Sequence, residues 1–374
     1  MEKYLKNLYK KFLKFEKEFF IRDSAFWVGA EDLKLNKKVL GEIFENNKKS
    51  FISFLSDIKD IIYSKNVFDF ILKNSVEDWD LWYYLKFLEK EKIIKVRSNS
   101  KIYLLKKEIT KVIPKPQTEK EIKRKIEKKL KLRIREKEPI INLFKKFQDF
   151  VVKSEWDQMP ISQGSAIFLA KKILEKIPLN GKFLFVGDDD FMSVVLTLAN
   201  PKIKCVVADA DEQLLKSIRI LSSKFNLKIE TKKVDFRKEK ILGEKFIGFL
   251  TSPVYTVEGI KEFVSYGVNQ CGKDGAIGFL NFGDEAVGNR ILFLQDFFTK
   301  QNLIIREIIP KKIYYPWIYL HEKEDKVISK RMFSMIDPKI VKQSPKIGVS
   351  LYIFDYLPFK VKKIKVKKSI YAYV

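Results

Sequence analysis

Histidine and cysteine are nearly absent from this chain of 374 residues, which contains one His and two Cys. With no Cys/His cluster, neither a His-ligated metal site nor a Ser-His-Asp triad is expected, and we expect no metal. The single histidine, His321, is expected in a loop or at the surface. Cys205 and Cys271 lie in or beside apolar runs, which favours buried free thiols and excludes a disulfide framework.

Long apolar runs are missing as well. No stretch of about 20 apolar residues, the length that crosses a bilayer, is present. The N-terminus, Met1–Lys6, enters a charged amphipathic pattern rather than the apolar core of a signal peptide. We therefore expect no membrane span, no membrane partner and a cytoplasmic location.

Acidic residues are in the minority. Lys and Arg number 74 against 48 Asp and Glu, which gives a formal net charge of +26. This excess can serve a nucleic acid, or it can belong to a solvated, thermophile-like surface. We favour the second interpretation, because the basic residues are spread along the chain with concentrations at Lys120–Lys137 and Lys360–Lys368. Nucleic acid is therefore the less favoured partner.

The first half of the chain predicts helices followed by a small hairpin. A helix is predicted at Leu81–Glu91, and hairpin strands are predicted at Ile93–Val96 and Ile102–Leu105. Helices before a hairpin are typical of a winged helix, which binds DNA in some proteins and serves packing or dimerisation in others. We favour packing against the catalytic domain or against a second subunit in a homodimer.

The second half alternates between strands and helices. Seven strands are predicted, at 183–186, 204–208, 228–234, 246–250, 276–281, 303–309 and 347–356. The alternation predicts an α/β fold with a Rossmann-like, methyltransferase-type seven-stranded sheet, whose last strand is inserted antiparallel and whose ligands bind at the carboxyl ends of the strands.

The predicted domain organisation has five parts. They are an N-terminal helical extension (1–50), a winged-helix-like domain (51–113), a linker with connecting helices at 118–137 and 138–154 (114–155), the Rossmann-like domain (156–356) and a basic C-terminal tail (357–374).

A run of acids follows the first strand of the Rossmann-like domain. The strand ends in Gly187-Asp188-Asp189-Asp190, where a phosphate-binding turn would offer glycines and backbone N–H groups. Three carboxylates disfavour a pyrophosphate and suit a cation, such as an amine substrate or an adenosyl sulfonium donor. Their crowding raises the pKa of at least one of them, so Asp189 or Asp190 is the candidate catalytic base. The alternative is a helix N-cap.

Acids after the next two strands are candidates for binding the donor, together with Gly187 of the first turn. An acid at the tip of the second strand of such folds accepts hydrogen bonds from ribose hydroxyls, which favours Asp209. Asp211 is the better candidate for a helix cap, and it is included with the donor-binding residues. Asp235, after the third strand, is in position to approach the adenine, and the alternative for it is an ordinary acid of the loop.

The fourth and fifth strands end in candidates for the acceptor side. Ser252 and Tyr255 follow the fourth strand, a position that commonly lies beside the transferred group. Glu285 follows the fifth strand, where a carboxylate could enter the same pocket and act in catalysis.

These residues resemble the branched-chain polyamine synthases, also called N(4)-bis(aminopropyl)spermidine synthases. The resemblance runs from Trp156 to about Trp317, and it rests on Asp157-Gln158, Gly187-Asp188-Asp189-Asp190, Asp209-Ala210-Asp211-Glu212 and Thr256-Val257-Glu258-Gly259. The upstream winged helix is similar to that family's architecture too. One departure is that the family's Asp-Pro-Pro-type segment reads Ser252-Pro253-Val254 here, which lacks the carboxylate.

The resemblance implies a reaction and a set of site residues. The reaction is the transfer of aminopropyl groups from decarboxylated S-adenosylmethionine, a co-substrate, to the secondary amine of spermidine, with release of methylthioadenosine. The implied active site is shaped by Asp188–Asp190, by Asp157 and Gln158 as substrate-binding residues, and by Glu285.

Two alternatives stay open. One is an S-adenosylmethionine-dependent methyltransferase that acts on RNA or a small amine, which the net charge of +26 favours. The other is a diverged, non-catalytic paralogue that binds polyamine or DNA, which Ser252 favours. Aminopropyl transfer ranks first because an acidic pocket argues against a polyanionic substrate.

Overall fold

The computed structural model describes residues 1–27, 37–74, 78–153, 156–238, 243, 245–316 and 345–362. The chain divides into two compact units, of which the first comprises Met1–Lys115 with Leu357–Val374 and the second Pro116–Tyr356. The finer division into five parts stays a prediction. His321 lies outside the described residues.

The first unit contains five helices and a hairpin within the described residues. They are α1 (Glu2–Trp27), α2 (Lys37–Asn47), α3 (Phe51–Tyr63), α4 (Val67–Asn74), α5 (Asp78–Lys90), β1 (Ile94–Val96) and β2 (Ile102–Leu104), the two strands being antiparallel. Aromatic side chains hold the helices together, since the Phe12 ring lies 4.5 to 5.2 Å from the rings of Phe54, Tyr84 and Phe87. The order of helices and hairpin is as predicted, and its identity as a winged helix stays a prediction.

The connecting helices are shorter than the sequence predicted. Helix α6 (Glu119–Leu130) begins with a capping box, in which Thr118 Oγ1 accepts from the Glu121 N–H and the Glu121 carboxylate accepts from the Thr118 N–H. It ends at Leu130 because Lys131 adopts a left-handed conformation with φ of 54°. The prediction of a helix to residue 137 was therefore wrong. The helix predicted over 138–154 was also wrong, because only α7 (Ile140–Phe144) forms there.

The second unit is built around a seven-stranded sheet. Its elements are α8 (Gln163–Lys176), β3 (Lys182–Val186), α9 (Met192–Ala199), β4 (Lys204–Asp209), α10 (Glu212–Phe225), β5 (Ile229–Lys233), β6 (Gly248–Thr251), α11 (Val257–Asn269), β7 (Ala276–Phe282), α12 (Asp284–Val287), α13 (Ile291–Lys300), β8 (Leu303–Pro316) and β9 (Pro345–Tyr356).

The order of the strands matches the predicted methyltransferase type. It runs β5-β4-β3-β6-β7-β9-β8, with β9 antiparallel to both of its neighbours and the first five strands parallel. The predicted α/β fold with a mostly parallel sheet is confirmed. The carboxyl ends of β3, β4, β6 and β7 lie at one edge, so the residues that follow these strands come together there.

The centre of the sheet is apolar on both faces. All seven residues of β7 and all four of β6 are buried, as expected for parallel strands that helices cover on both sides. Such strands hold the site residues that follow them on a rigid base. None of the described helices is both long enough and apolar enough to span a membrane.

Candidate functional site

The acidic turn after β3 is sharply bent at both ends. Gly187 has a φ of +76°, a conformation that suits glycine, and its N–H donates to the carbonyl oxygen of Ala208 on β4. Phe191, just before α9, is left-handed with a φ of 51°. Between these two bends the three aspartates point to different partners.

Asp188 turns back onto the helix that follows it. Its carboxylate accepts from the Met192 N–H at 2.7 Å and from the Ser193 N–H at 3.2 Å, which satisfies the first two donors of α9. The side chain is buried, and burial raises its pKa well above the ordinary value although these hydrogen bonds oppose the shift. Asp188 therefore caps α9, which is the alternative to a substrate-binding role, and it does not line the pocket described below.

Asp189 and Asp190, here called the acid pair, point to the segment before α8. Asp189 Oδ2 accepts from the Met159 N–H at 2.9 Å, and Asp190 Oδ1 accepts from the Ile161 N–H at 2.8 Å. Burial raises both pKa values, that of Asp190 to about 7, and repulsion from Asp190 adds to the rise at Asp189. The pair is thus suited to hold a proton near neutral pH.

A partly open pocket adjoins the acid pair. It has about 460 Å³ of empty volume including its mouth, and its lining is formed by Asp157, Met159, Asp189, Ser252, Pro253, Tyr255, Tyr315 and Ile347. Two acids and two phenol rings among these residues suit a cationic ligand, which carboxylates attract and aromatic faces also favour.

Two hydroxyl contacts organise the wall of the pocket. The Tyr255 hydroxyl donates to that of Tyr315 at 3.2 Å, and burial raises the pKa of both phenols, so they remain neutral. The Ser252 hydroxyl donates to Asp190 Oδ2 at 3.2 Å, which joins the pocket wall to the acid pair.

The Asp157-Gln158 segment is held in place from outside the pocket. Gln158 Nε2 donates to Asp211 Oδ2 at 2.9 Å, and its Oε1 accepts from the Lys153 N–H at 2.9 Å. Asp211 also forms an ion pair of 2.6 Å with Lys153 Nζ and caps α10 by accepting from the Gln213 N–H. Of the two predicted substrate-binding residues in this segment, Asp157 lines the pocket and Gln158 holds the segment against Asp211.

The predicted donor-binding acids lie in different surroundings. Asp209 Oδ1 accepts from the Asp211 N–H at 2.8 Å and Oδ2 from the Asp188 N–H at 3.3 Å, while burial raises the pKa of Asp209 to about 6. Asp235 is instead paired with the guanidinium of Arg237, which lowers the pKa of Asp235 to about 2. Asp209 lies beside the acidic turn, and Asp235 is engaged in a surface ion pair.

Glu285 is not brought into the pocket. Its side chain is 78% exposed and forms an ion pair of 2.7 Å with Lys311 Nζ. The sequence placed it correctly after the fifth strand of the fold, β7, but the short helix α12 begins at Asp284 and carries Glu285 to the surface. The expected entry of this carboxylate into the pocket is thereby corrected.

Some residues of the site were not singled out from the sequence as candidates. The pocket is also lined by Met159, Pro253, Tyr315 and Ile347, and the Asn281 side chain donates to Ser252 Oγ at 3.1 Å. Asn281 is the one polar residue at the end of an otherwise apolar strand, and that was a usable signal. Across the described part of the chain, no three His, Cys, Asp or Glu side chains are grouped so as to hold a metal ion.

Comparison with known proteins gives partial matches to curated sequences. An uncharacterised protein of Methanocaldococcus jannaschii is 36% identical over 168 residues, which are 44% of this chain and 42% of that protein. The N(4)-bis(aminopropyl)spermidine synthase of the same organism is 38% identical over 95 residues, 24% of this chain and 27% of that enzyme. The matched region thus spans less than half the length of these curated relatives.

Among solved structures, the branched-chain polyamine synthase of Thermus thermophilus, in complex with N4-aminopropylspermidine and 5'-methylthioadenosine, aligns with a TM-score of 0.49 at 14% identity. The alignment covers 89% of this chain and 95% of that one. A family model, the branched-chain polyamine synthase A C-terminal domain, matches residues 143–343. Because this match covers more than half of the chain and includes the acid pair and every residue of the pocket lining except Ile347, the chain belongs to the branched-chain polyamine synthase family.

Proposed function

We propose that this chain is an aminopropyltransferase, which moves aminopropyl groups from decarboxylated S-adenosylmethionine to the secondary amine of spermidine. Membership of the family and the similarity to the N(4)-bis(aminopropyl)spermidine synthase of Methanocaldococcus jannaschii support the proposal. The single observation that carries it is the acid pair, in which Asp190 is buried and Asp189 lines a pocket together with Asp157 and two tyrosines.

The chemistry of the transfer fits these residues. The lone pair of the acceptor nitrogen attacks the carbon next to the sulfonium, the C–S bond breaks, and its electron pair returns to sulfur as the neutral thioether of methylthioadenosine. The nitrogen loses its proton to the acid pair. This step needs an aligned neutral amine and a base. A carboxyl with a pKa of about 7 can accept that proton at neutral pH.

The acceptor is a polycation, and the pocket supplies the opposite charge. Asp157 and Asp189 line it, and each close pair of a carboxylate and an ammonium contributes a Coulomb attraction of about 4 kcal/mol near a protein surface. The faces of Tyr255 and Tyr315 add cation–π attraction for an ammonium or a sulfonium. We propose that Asp157, Ser252 and Tyr255 contact the acceptor and that Asp189 and Asp190 share its proton.

We place the donor at the neighbouring strand end. Asp209 follows β4 and lies beside the acidic turn, so we propose that its carboxylate accepts from the ribose hydroxyls, as acids at this position commonly do. Gly187, which has no side chain, allows the donor to approach the turn closely. Asp211 has three donors of its own, so we give it a role in holding the Asp157 segment rather than the donor.

One observation favours methyl transfer as a second candidate. The strand order β5-β4-β3-β6-β7-β9-β8, with β9 antiparallel, is that of methyltransferases, and it suits S-adenosylmethionine as well as its decarboxylated form. The acids that line the pocket favour an amine over a nucleic acid as the acceptor in either case.

One experiment tests both candidates. The full chain is incubated with spermidine and either the decarboxylated or the ordinary donor, and the products are identified by mass spectrometry. We expect mass gains in aminopropyl units with the decarboxylated donor. Gains in methyl units with the ordinary donor would replace the proposal by methyl transfer. Asp189→Asn and Asp190→Asn are expected to lose turnover, and Asp296→Asn, an exposed aspartate on α13, serves as the matched control.

A further inference from the structure

A chain of two hydrogen bonds connects the end of β7 to the acid pair. Asn281 Nδ2 donates to Ser252 Oγ at 3.1 Å, and the Ser252 hydroxyl donates to Asp190 Oδ2 at 3.2 Å. Asn281 is fully buried, Ser252 is half-buried at the pocket wall, and Asp190 is buried. The three side chains stand on three neighbouring strand ends, those of β7, β6 and β3.

The direction of these two hydrogen bonds follows from which groups donate. A serine hydroxyl has one proton to donate and two lone pairs to accept with. Because the Asn281 amino group donates to the Ser252 oxygen, the serine proton is directed to Asp190. The other oxygen of Asp190 accepts from the Ile161 N–H, so donors contact both carboxylate oxygens.

The groups around Asp190 show why this donation matters. Its ionisation is opposed first by burial and then by the charge of Asp188, and its own charge in turn raises the pKa of Asp189. Tyr255 and Tyr315 face it as neutral phenols from the ends of β6 and β8. The hydrogen bonds from Ile161 and Ser252 favour the ionised form. Of these two, only that from Ser252 comes from a side chain.

We propose that Asn281 and Ser252 form a relay that orients a hydroxyl onto Asp190 and holds this carboxylate in its ionised, proton-accepting form. Asn281 is a positioning residue, since it acts through Ser252 and Asp190, and Ser252 has this positioning role in addition to its proposed contact with the acceptor. The role of the relay in group transfer rests on the proposed function. Its effect on Asp190 in the resting protein does not.

The relay is tested in the resting protein by NMR of aspartate labelled with ¹³C at the side-chain carboxyl, with the Asp190 signal assigned by its loss in Asp190→Asn. Ser252→Ala is expected to raise the titration midpoint of the acid pair by about one pH unit, because a hydrogen bond to the charged form is lost. Ser252→Thr, which keeps the hydroxyl, is expected to restore the midpoint of the parent.

Asn281 has its own variant. Asn281→Leu, of similar volume, is expected to raise the midpoint by less than Ser252→Ala does, because the serine hydroxyl is then free to rotate. The double variant, with both Ser252→Ala and Asn281→Leu, is expected to have the same midpoint as Ser252→Ala alone. The effects of two substitutions in one chain of hydrogen bonds are not additive. Circular dichroism verifies that each variant is folded.

Two outcomes overturn the relay. One is an unchanged midpoint in Ser252→Ala, and the other is a shift in the double variant that equals the sum of the two single shifts.

The pH dependence of kcat/KM with spermidine gives a second measurement, in which the acidic limb is expected to move with the midpoint. If the parent makes no aminopropylated product while the midpoints move as stated, the proposed function fails and the relay is supported. If product forms and neither the midpoints nor the pH profiles differ, the relay fails and the function is supported.

Discussion

Replacing Asp190 by asparagine is expected to stabilise the protein at high pH while it removes turnover. Asp190 is buried and its pKa is raised to about 7 by burial, whereas a free aspartate titrates near about 3.9. Between these two values the folded state binds a proton that the unfolded state has released. The free energy of unfolding therefore falls as the pH rises through this window, and the loss is complete above the folded-state pKa.

The size of the effect follows from the separation of the two pKa values. A difference of about three pH units corresponds to about 4 kcal/mol at pH 8, and about 3 kcal/mol of that develops between pH 5 and pH 8. An asparagine does not titrate. Its oxygen can still accept from the Ile161 N–H and its amino group can donate to Ser252 Oγ, so the geometry at residue 190 is kept.

The measurement is urea unfolding of the parent and of Asp190→Asn at pH 5, 6.5 and 8. We expect the difference in unfolding free energy to move in favour of the variant by about 3 kcal/mol from pH 5 to pH 8. Asp296→Asn, at an exposed position, is expected to show no such trend. A difference between parent and Asp190→Asn that stays constant with pH would refute the argument that burial raises the pKa of this carboxyl.

Three further predictions concern residues around the site. Asp188→Ala removes the acceptor for two N–H groups of a buried helix, and is expected to lower the unfolding free energy by about 1–3 kcal/mol in urea melts. Lys153→Met leaves the buried Asp211 without its cation. Since pairing lowers the pKa of Asp211, we expect a destabilisation in urea melts at pH 7 that shrinks as the pH falls below about 4. Glu285→Gln is expected to keep kcat and KM for spermidine close to the parent's, because Glu285 is exposed and paired with Lys311; a large loss of kcat would return it to the catalytic residues.

The sheet could be predicted almost completely from the sequence. Buried parallel strands are recognised in a sequence as short apolar runs between turn signals. The strands predicted at 183–186 and 276–281 agree with β3 and β7 to within one residue at each end. The sixth predicted strand was harder, because β8 continues to Pro316, well beyond the predicted end at residue 309. Pro310 follows the predicted end, and an edge strand with bulges tolerates a proline.

The lengths of the connecting helices were predicted wrongly for a different reason. Ile122, Ile126, Leu130 and Ile134 keep a four-residue spacing, and all four are buried, so the pattern gives no sign that the helix stops. The end at Leu130 depends on a left-handed lysine, Lys131, and neither glycine nor proline marks it. The Glu127 carboxylate accepts from the Ile134 N–H, and this contact could not be predicted from the local sequence.

The location of the site was predictable, and the direction of each side chain was not. Residues that follow parallel strands meet at one edge of the sheet. The sequence therefore predicted that the acidic turn, Asp209 and Ser252 lie close together. Whether Asp188 faces its own helix or the pocket depends on the two positive φ angles at Gly187 and Phe191, and an alternating or helical pattern carries no information about these angles. Tyr315 lies at the end of the edge strand, beyond where the strand was expected to stop.

The serine at position 252 changes the charge of the pocket more than it changes the availability of a base. A carboxylate in its place would lie about 3 Å from Asp190, and their repulsion of about 5 kcal/mol at an effective dielectric constant of 20 would raise both pKa values until an acceptor ammonium bound beside them and allowed both to ionise. A serine removes that charge, yet its hydroxyl still donates to Asp190 and still accepts from Asn281. The acids that line the pocket, Asp157 and Asp189, are then left to attract the polyamine cation. The substitution should therefore affect how tightly the acceptor is held more strongly than how readily its proton is removed.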